Sequence, residues 1–483
     1  MRRRNSILAL AVLPLLASCS VFPGWGDPEV DHVTLSEPAE SLDVPANVGS
    51  VGWTWSSPEE TGIQHVSPIS YGLVVSISDG VVGVSGGTGE ELWRYRRLGE
   101  RLTGASVTPD GETVAVSYSA HDGEAEGEEE PHPLHEVVLL DSSTGDIKGT
   151  QTVEFANMPF ADSGVSSYAS GDEQLGVLSN SSRIIYRGDG RGEGEIVSLG
   201  LEDDEELWSV TPAQSGGSER MFFVARSSVV SRGVLVTSSN FVDESVLEPG
   251  GLSGTKNHTL ALIGIDVETG SELWRHEIEA NEGIDLTPFK LGVAHGSGMV
   301  AAVASGYGYR EEFLLDPTTG EVLTDAEFFT GEDDAVVGIL EEAIVSARGV
   351  SDGDEYEYSY SDLSGEVQHA VTVPAPLGRG KDIFILAMEG SVAWLDVNEQ
   401  AADGLSWGPA QLVVTDWDDG ESRVIDLGIE VQRSPNEDES LGGSSALTPT
   451  PKSMALVPGA LVVTEGLDGE DNEPSRRLVG LVP

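Results

Sequence analysis

The sequence predicts an all-β fold: a closed β-propeller of about eight four-stranded blades, with seven as the alternative count. Three observations predict it. From about residue 50 onward the chain is a succession of short Val/Ile/Leu-rich runs broken by Gly, Asp and Ser, with no long stretch at a 3.6-residue apolar period. A strand–turn–strand unit recurs at intervals near 50 residues, the size of a propeller blade. The last unit stops where an outgoing tryptophan-bearing strand is due, and such a strand stands at the other end of the chain, Val51-Gly52-Trp53-Thr54-Trp55-Ser56.

The first element lies outside that ring. Arg2, Arg3 and Arg4 precede an apolar run from Ile7 to Leu16. As a helix this run would span about 15 Å, half a bilayer core, which suits an export signal and not a stable transmembrane span. Leu16-Ala17-Ser18-Cys19 then resembles the lipobox of bacterial lipoproteins. The resemblance implies that residues 1–18 are a signal peptide cleaved on export. It implies that the Cys19 sulfur carries a diacylglyceryl group and that the new N-terminus is acylated, with fatty acids such as palmitate. The protein would then be lipid-anchored at the cell membrane and face away from the cytoplasm, in the outer membrane if the host is Gram-negative. Residues 19–49 carry Pro, Gly, Asp and Glu with few large apolar side chains, the composition of a flexible tether.

Residues 50–483 make up the ring. Val74 to Ile77, Thr113 to Val116, Val234 to Val236 and Leu461 to Val463 read as buried strands, and Thr108-Pro109-Asp110-Gly111-Glu112 as a tight turn before one of them. The recurring unit is fullest from Leu262 to Arg275, which holds Asp266, Thr269, Gly270 and Trp274. Asp141 to Gly145 and Asp316 to Gly320 repeat its turn, and Gly86 to Arg94 keeps its second half, with Gly89 and Trp93. Shorter copies run from Asp362 to Val367 and from Trp417 to Glu421. The aspartate accepts backbone N–H bonds across the turn, and the glycine takes a positive φ. The tryptophan offers a large apolar face between neighbouring sheets, which assigns Trp93, Trp208 and Trp274 to packing. Turn glycines at 89, 145, 270, 320, 365 and 420 lie 45–56 residues apart, except for one gap of 125 that holds two units. The turn missing from that gap is expected near Gly190 to Glu195. Pairing of the Trp53–Trp55 strand with the C-terminal strands would complete the last blade and remove an open sheet edge.

These units resemble the pyrroloquinoline-quinone-type propeller repeats, whose members end in a Thr-Gly-x-x-x-Trp-Arg-like strand. The resemblance covers nearly all of residues 50–483 and is sharp in two copies, at Trp93 and Trp274. It implies the propeller fold and raises the question of a quinone cofactor. Quinoprotein dehydrogenases of this family use a vicinal disulfide, a stacking tryptophan and a Ca²⁺ site. Here Cys19 is the one cysteine, and no carboxylate or Asn set matches the calcium ligands by motif. The sequence therefore predicts no quinone cofactor.

Charge narrows the partners. The chain has 26 basic and 82 acidic residues, net −56. Nucleic acid is excluded as a partner because phosphate neutralisation needs clustered Lys or Arg. Docking on anionic lipid by charge is excluded for the same reason, so attachment falls to the acyl chains. A single cysteine also permits no intramolecular disulfide, and stability has to come from packing.

Candidate chemistry is sparse. No G-x-S-x-G elbow is present. His121, His132 and His135 bracket the acidic run Glu124 to Glu130 and form a weak Zn²⁺ candidate, set against a solvated insertion between two strands. Asp416, Asp418, Asp419 and Glu421, and likewise Asp468, Glu470, Asp471 and Glu473, place carboxylates in turns where weak Ca²⁺ binding is conceivable, but neither set has the spacing of a dedicated loop. The reading that results is a non-catalytic scaffold in the cell envelope that binds another envelope protein or an extracellular ligand. The alternative is a quinone-dependent or other propeller oxidoreductase.

Overall fold

The computed structural model describes residues 29–58, 61–119, 134–154, 177–187, 195–211, 219–243, 258–279, 290–293, 298–306, 309–324, 334–350, 355–374, 385–397, 409–430, 454–465 and 475–483. Every regular element among them is a β-strand. They form eight antiparallel sheets, an eight-bladed propeller. Blade 1 is β3 (Ile63–Ile69), β4 (Gly72–Ile77), β5 (Gly80–Ser85) and β6 (Glu91–Leu98), with β1 (Glu29–Val33) as a fifth strand outside β6. Blade 2 is β7 (Leu102–Val107), β8 (Thr113–Ser119), β9 (Leu134–Asp141) and β10 (Ile147–Glu154). Blade 3 is β11 (Val177–Leu178), β12 (Ser182–Arg187), β13 (Glu195–Gly200) and β14 (Glu206–Val210). Blade 4 is β15 (Glu219–Ser231), β16 (Val234–Asp243), β17 (His258–Asp266) and β18 (Glu272–Glu279). Blade 5 is β19 (Lys290–Val293), β20 (Val300–Gly306), β21 (Tyr309–Leu315) and β22 (Val322–Thr324). Blade 6 is β23 (Asp334–Ile339), β24 (Ala343–Val350), β25 (Glu355–Asp362) and β26 (Val367–Pro374). Blade 7 is β27 (Ile385–Ala387), β28 (Ser391–Val397), β29 (Pro409–Asp416) and β30 (Ser422–Glu430). Blade 8 takes β31 (Met454–Val457), β32 (Ala460–Thr464) and β33 (Arg477–Val482) from the end of the chain and β2 (Ser50–Ser56) from its beginning.

The closure expected from Trp53 to Trp55 is thus present. β2 runs antiparallel to β33, with Trp53 opposite Gly480 and Trp55 opposite Leu478. The eight-blade count holds, and β27 to β30 form a regular four-stranded sheet as blade 7.

Packing explains why the middle strands read as unbroken apolar runs. Each is covered on both sides by neighbouring blades, so both of its faces are core. In β4, Leu73, Val75 and Ile77 face the junction with blade 8, while Val74 faces blade 2. Each of the eight junctions encloses its own buried apolar cluster. Outer strands have one wet face and alternate accordingly: in β30, Ile425, Leu427 and Ile429 are buried between exposed neighbours.

The up-and-down meander gives the ring two unlike faces. First-to-second and third-to-fourth strand turns share one face and are two to six residues long. The strand ends that lead into second-to-third connections and blade-to-blade links share the other, and up to 23 residues separate successive strands there in the sequence, at 431–453. We call these the turn face and the connection face.

Two expectations need correction. The turn of the third unit is not near Gly190 to Glu195; that stretch precedes the third strand of blade 3 in the sequence, and Glu195 is the first residue of that strand. It lies at Gly200 to Glu205, where the Gly200 N–H bonds to the Glu205 carbonyl and the Asp204 N–H to the Gly200 carbonyl. Asp204, at φ 57°, takes the place of the glycine and hides the motif. Residues 29–49 do not belong to the loose tether expected over residues 19–49, because they lie bonded along the ring. Composition misled because this stretch is held by backbone hydrogen bonds and ion pairs, which need no apolar run. The signal segment 1–18 and Cys19 lie outside the described residues.

Candidate functional site

The repeat turns are built as their residues dictate. Asp266 Oδ1 accepts the N–H groups of Glu268 and Thr269 at 3.1 and 2.8 Å, and the Thr269 hydroxyl at 2.9 Å. Asp141 Oδ1 does the same for Ser143 and Thr144, and Asp316 Oδ1 for Thr318 and Thr319. The bonds from Thr269 hold the Asp266 carboxyl below the usual range. Burial pushes those of Asp141 and Asp316 up, but bonds from their turn residues outweigh it and both end below the usual range. Gly145, Gly270 and Gly320 have φ of 77°, 71° and 71°.

The tryptophans do more than fill space. Trp93 Nε1 on blade 1 donates to the carbonyl of Ser142 in the blade 2 turn, at 2.6 Å. Trp208 donates to Val267 of blade 4 at 2.8 Å, Trp274 to Pro317 of blade 5 at 2.7 Å, and Trp53 of blade 8 to Gly86 of blade 1 at 2.6 Å. The turn glycine of the receiving blade lies against the same ring. A Cβ on Gly145 would come within 2.7 Å of Trp93, and one on Gly320 within 2.5 Å of Trp274. Burial of an indole requires a partner for its N–H, and the turn carbonyl is that partner. At the blade 2–3 junction the donor is Gln151, bonded to the Leu201 carbonyl at 3.2 Å.

Of the expected metal-binding residues, His121 and His132 lie outside the described residues. His135 is buried on β9 with Nδ1 3.3 Å from the Thr103 hydroxyl, so it belongs to the packing of blade 2. Asp416 Oδ2 accepts from Asn47 Nδ2 at 2.9 Å and its Oδ1 accepts the Asp418 N–H at 3.0 Å, while the Asp418 side chain is exposed. Asp419 Oδ1 accepts the N–H of Glu421. Asp468, Glu470, Asp471 and Glu473 lie outside the described residues.

Residues 29–49 form a strap that sequence reasoning missed. β1 pairs with β6 from Glu29 opposite Leu98 to Val33 opposite Arg94. Asp31 takes Arg94 at 2.8 Å, and Arg96 makes a two-point pair with Asp79 at 3.0 and 2.8 Å. His32 Nε2 donates to the Gly145 carbonyl at 2.8 Å. The chain then crosses the turn face. Leu35 and Ala39 donate to Thr144 and Ser143 of blade 2, and Leu42 to Ser70 of blade 1. The Asp43 carbonyl takes the N–H of Gly459 in blade 8, and the Ala46 carbonyl that of Gly390 in blade 7. Because each bond joins residues remote in sequence, no local motif announces the strap.

In comparisons with known proteins, no family model matches the chain. No curated protein matches it either. Among solved structures it is similar to BamB from Moraxella catarrhalis, at 14% identity over 80% of this chain and 98% of that one, with a TM-score of 0.28. It is also similar to the β-propeller domain of the Trilobed protease from Pyrococcus furiosus (12% identity, 75% and 97% covered, TM-score 0.35). A third likeness is to the WD40 domain of SCAP from fission yeast (8%, 90% and 97%, TM-score 0.39). Likenesses this distant carry nothing about function.

Proposed function

We propose that the chain is a lipid-anchored, extracytoplasmic propeller that serves as a non-catalytic binding scaffold of the cell envelope. The observation that carries the proposal is the difference between the two faces. Short, bonded turns and the strap make one face a fixed base, while strand ends separated by up to 23 residues of sequence lie on the other. Variable connections on a rigid ring are where binding specificity resides. The strands flanking the acidic runs Glu124 to Glu130 and Asp468 to Glu473 end on that connection face, which favours a ligand with positive charge. Cys19 supplies the attachment through its acyl chains.

Three experiments test this. Cys19→Ser followed by cell fractionation should move the protein from the membrane to the soluble fraction; retention in the membrane would refute the anchor. Photo-crosslinking residues placed at Glu128 and Asp468, compared with Glu268 on the turn face, should capture a partner only from the first two. Reconstitution with quinone and Ca²⁺ should give no oxidation of alcohols or sugars above background, and turnover there would favour the oxidoreductase instead.

A further inference from the structure

Among the described residues an indole ties neighbouring blades on the turn face at four of the eight junctions, and one junction cannot be tied in that way. An indole on the outer strand of one blade bonds to the turn between the third and fourth strands of the next, as at Trp93, Trp208, Trp274 and Trp53. Blade 8 has no such turn. Its third strand, β33, comes from the end of the chain and its fourth, β2, from the beginning. An indole on blade 7 would have no turn carbonyl to meet. In the sequence, the fourth position after the turn glycine Gly420 is Val424 where Trp93 follows Gly89, and Val424 is 60% exposed.

The strap occupies that place. Asn47 donates to Asp416 Oδ2 and accepts from Arg423, both of blade 7. The Ala46 carbonyl takes Gly390 N–H of blade 7 at 2.8 Å, and the Asp43 carbonyl takes Gly459 N–H of blade 8 at 2.9 Å. Val48 is fully buried in the cluster that joins Met388, Leu412 and Leu427 of blade 7 to Leu461, Val479 and Leu481 of blade 8. Gly49 N–H then bonds to the Val482 carbonyl, where the missing turn would stand.

We propose that residues 43–48 are a latch that replaces, at the blade 7–8 junction, the inter-blade tie that an indole supplies at four other junctions, so that stable closure of the ring requires the strap to be seated. The latch is a conformational device, because displacing this one segment frees one junction and leaves the other seven as they are.

Hydrogen exchange on the purified full-length chain tests it. Asn47→Ala and Val48→Ala should each raise exchange at least 10-fold in β28, β29, β32 and β33. Exchange in β13, β16 and β17 should stay unchanged, and exchange in blades 7 and 8 should stay unchanged in Val30→Ala, since Val30 lies in the strap outside the latch and is 46% exposed. Equal exchange at the junction in both variants, or an increase spread evenly over all blades, would overturn the latch. If Val48→Ala does not fold, Asn47→Ala decides alone, because it removes only polar ties from a surface side chain.

Discussion

Asp204 holds a left-handed backbone and, from that position, accepts two hydrogen bonds from the guanidinium of Arg183, at 3.0 and 2.5 Å. Arg183 is 2% exposed, so its charge depends on its ion-pair partners, and Asp204 is one of them. Restoring the repeat's own residue with Asp204→Gly should therefore destabilise the protein. Glycine relieves about 1 kcal/mol of backbone strain, but loss of the carboxylate costs about 3 kcal/mol or more at a buried guanidinium. A net fall in melting temperature, read by calorimetry, is the expected outcome, and a rise would show the ion pair to be dispensable.

Trp93 separates packing from hydrogen bonding. Trp93→Ala should cost about 3–5 kcal/mol, since it opens a cavity between blades 1 and 2. Trp93→Phe keeps most of the ring but leaves the Ser142 carbonyl without its donor, and about 1–3 kcal/mol is expected. Denaturant titration of the two variants against wild type should rank them in that order.

Gly145 and Gly99 both have positive φ, 77° and 84°, but differ in surroundings. A Cβ at residue 99 meets nothing within 4 Å, whereas at residue 145 it meets Trp93 at 2.7 Å. Gly99→Ala should cost only the conformational term, about 1 kcal/mol. Gly145→Ala adds overpacking of about 1–3 kcal/mol and should lower the melting temperature clearly further. Equal effects would mean that the indole is free to move aside.

Acid should weaken the repeat turns. The carboxyls of Asp141, Asp266 and Asp316 sit below their ordinary value of 3.8 in the folded chain. Unfolding therefore takes up protons at low pH. The stability these groups contribute is complete above about pH 4 and is lost as pH falls through their lowered values. Asp266→Asn with Asp316→Asn should flatten the dependence of melting temperature on pH below 4, and a profile parallel to wild type would assign acid sensitivity to other carboxylates.

The propeller was legible in the sequence because its signals are local. A strand, an aspartate, a glycine and an indole fall within a dozen residues, as from Ile265 to Trp274, and each has a direct physical role. The seam was legible for a related reason: one tryptophan strand was missing at one end and present at the other. Asp204 escaped because it breaks the glycine rule, although Glu206-Leu207-Trp208 repeats Glu91-Leu92-Trp93 and Glu272-Leu273-Trp274 four residues after each turn position. The strap escaped for a deeper reason. Leu35, Leu42, Asp43 and Ala46 bind through main-chain atoms to turns of four different blades, and main-chain bonding leaves no mark in residue type.

The seam of blade 8 also fixes an order of events during biosynthesis. β2 is made about 420 residues before its partner β33, so at roughly 5–20 residues per second the strand bearing Trp53 and Trp55 waits tens of seconds for that partner. Any holding factor that meets the nascent chain would find its most exposed aromatic strand there, and a ribosome that stalls before residue 477 would leave an open ring whose sticky edge invites a neighbour's.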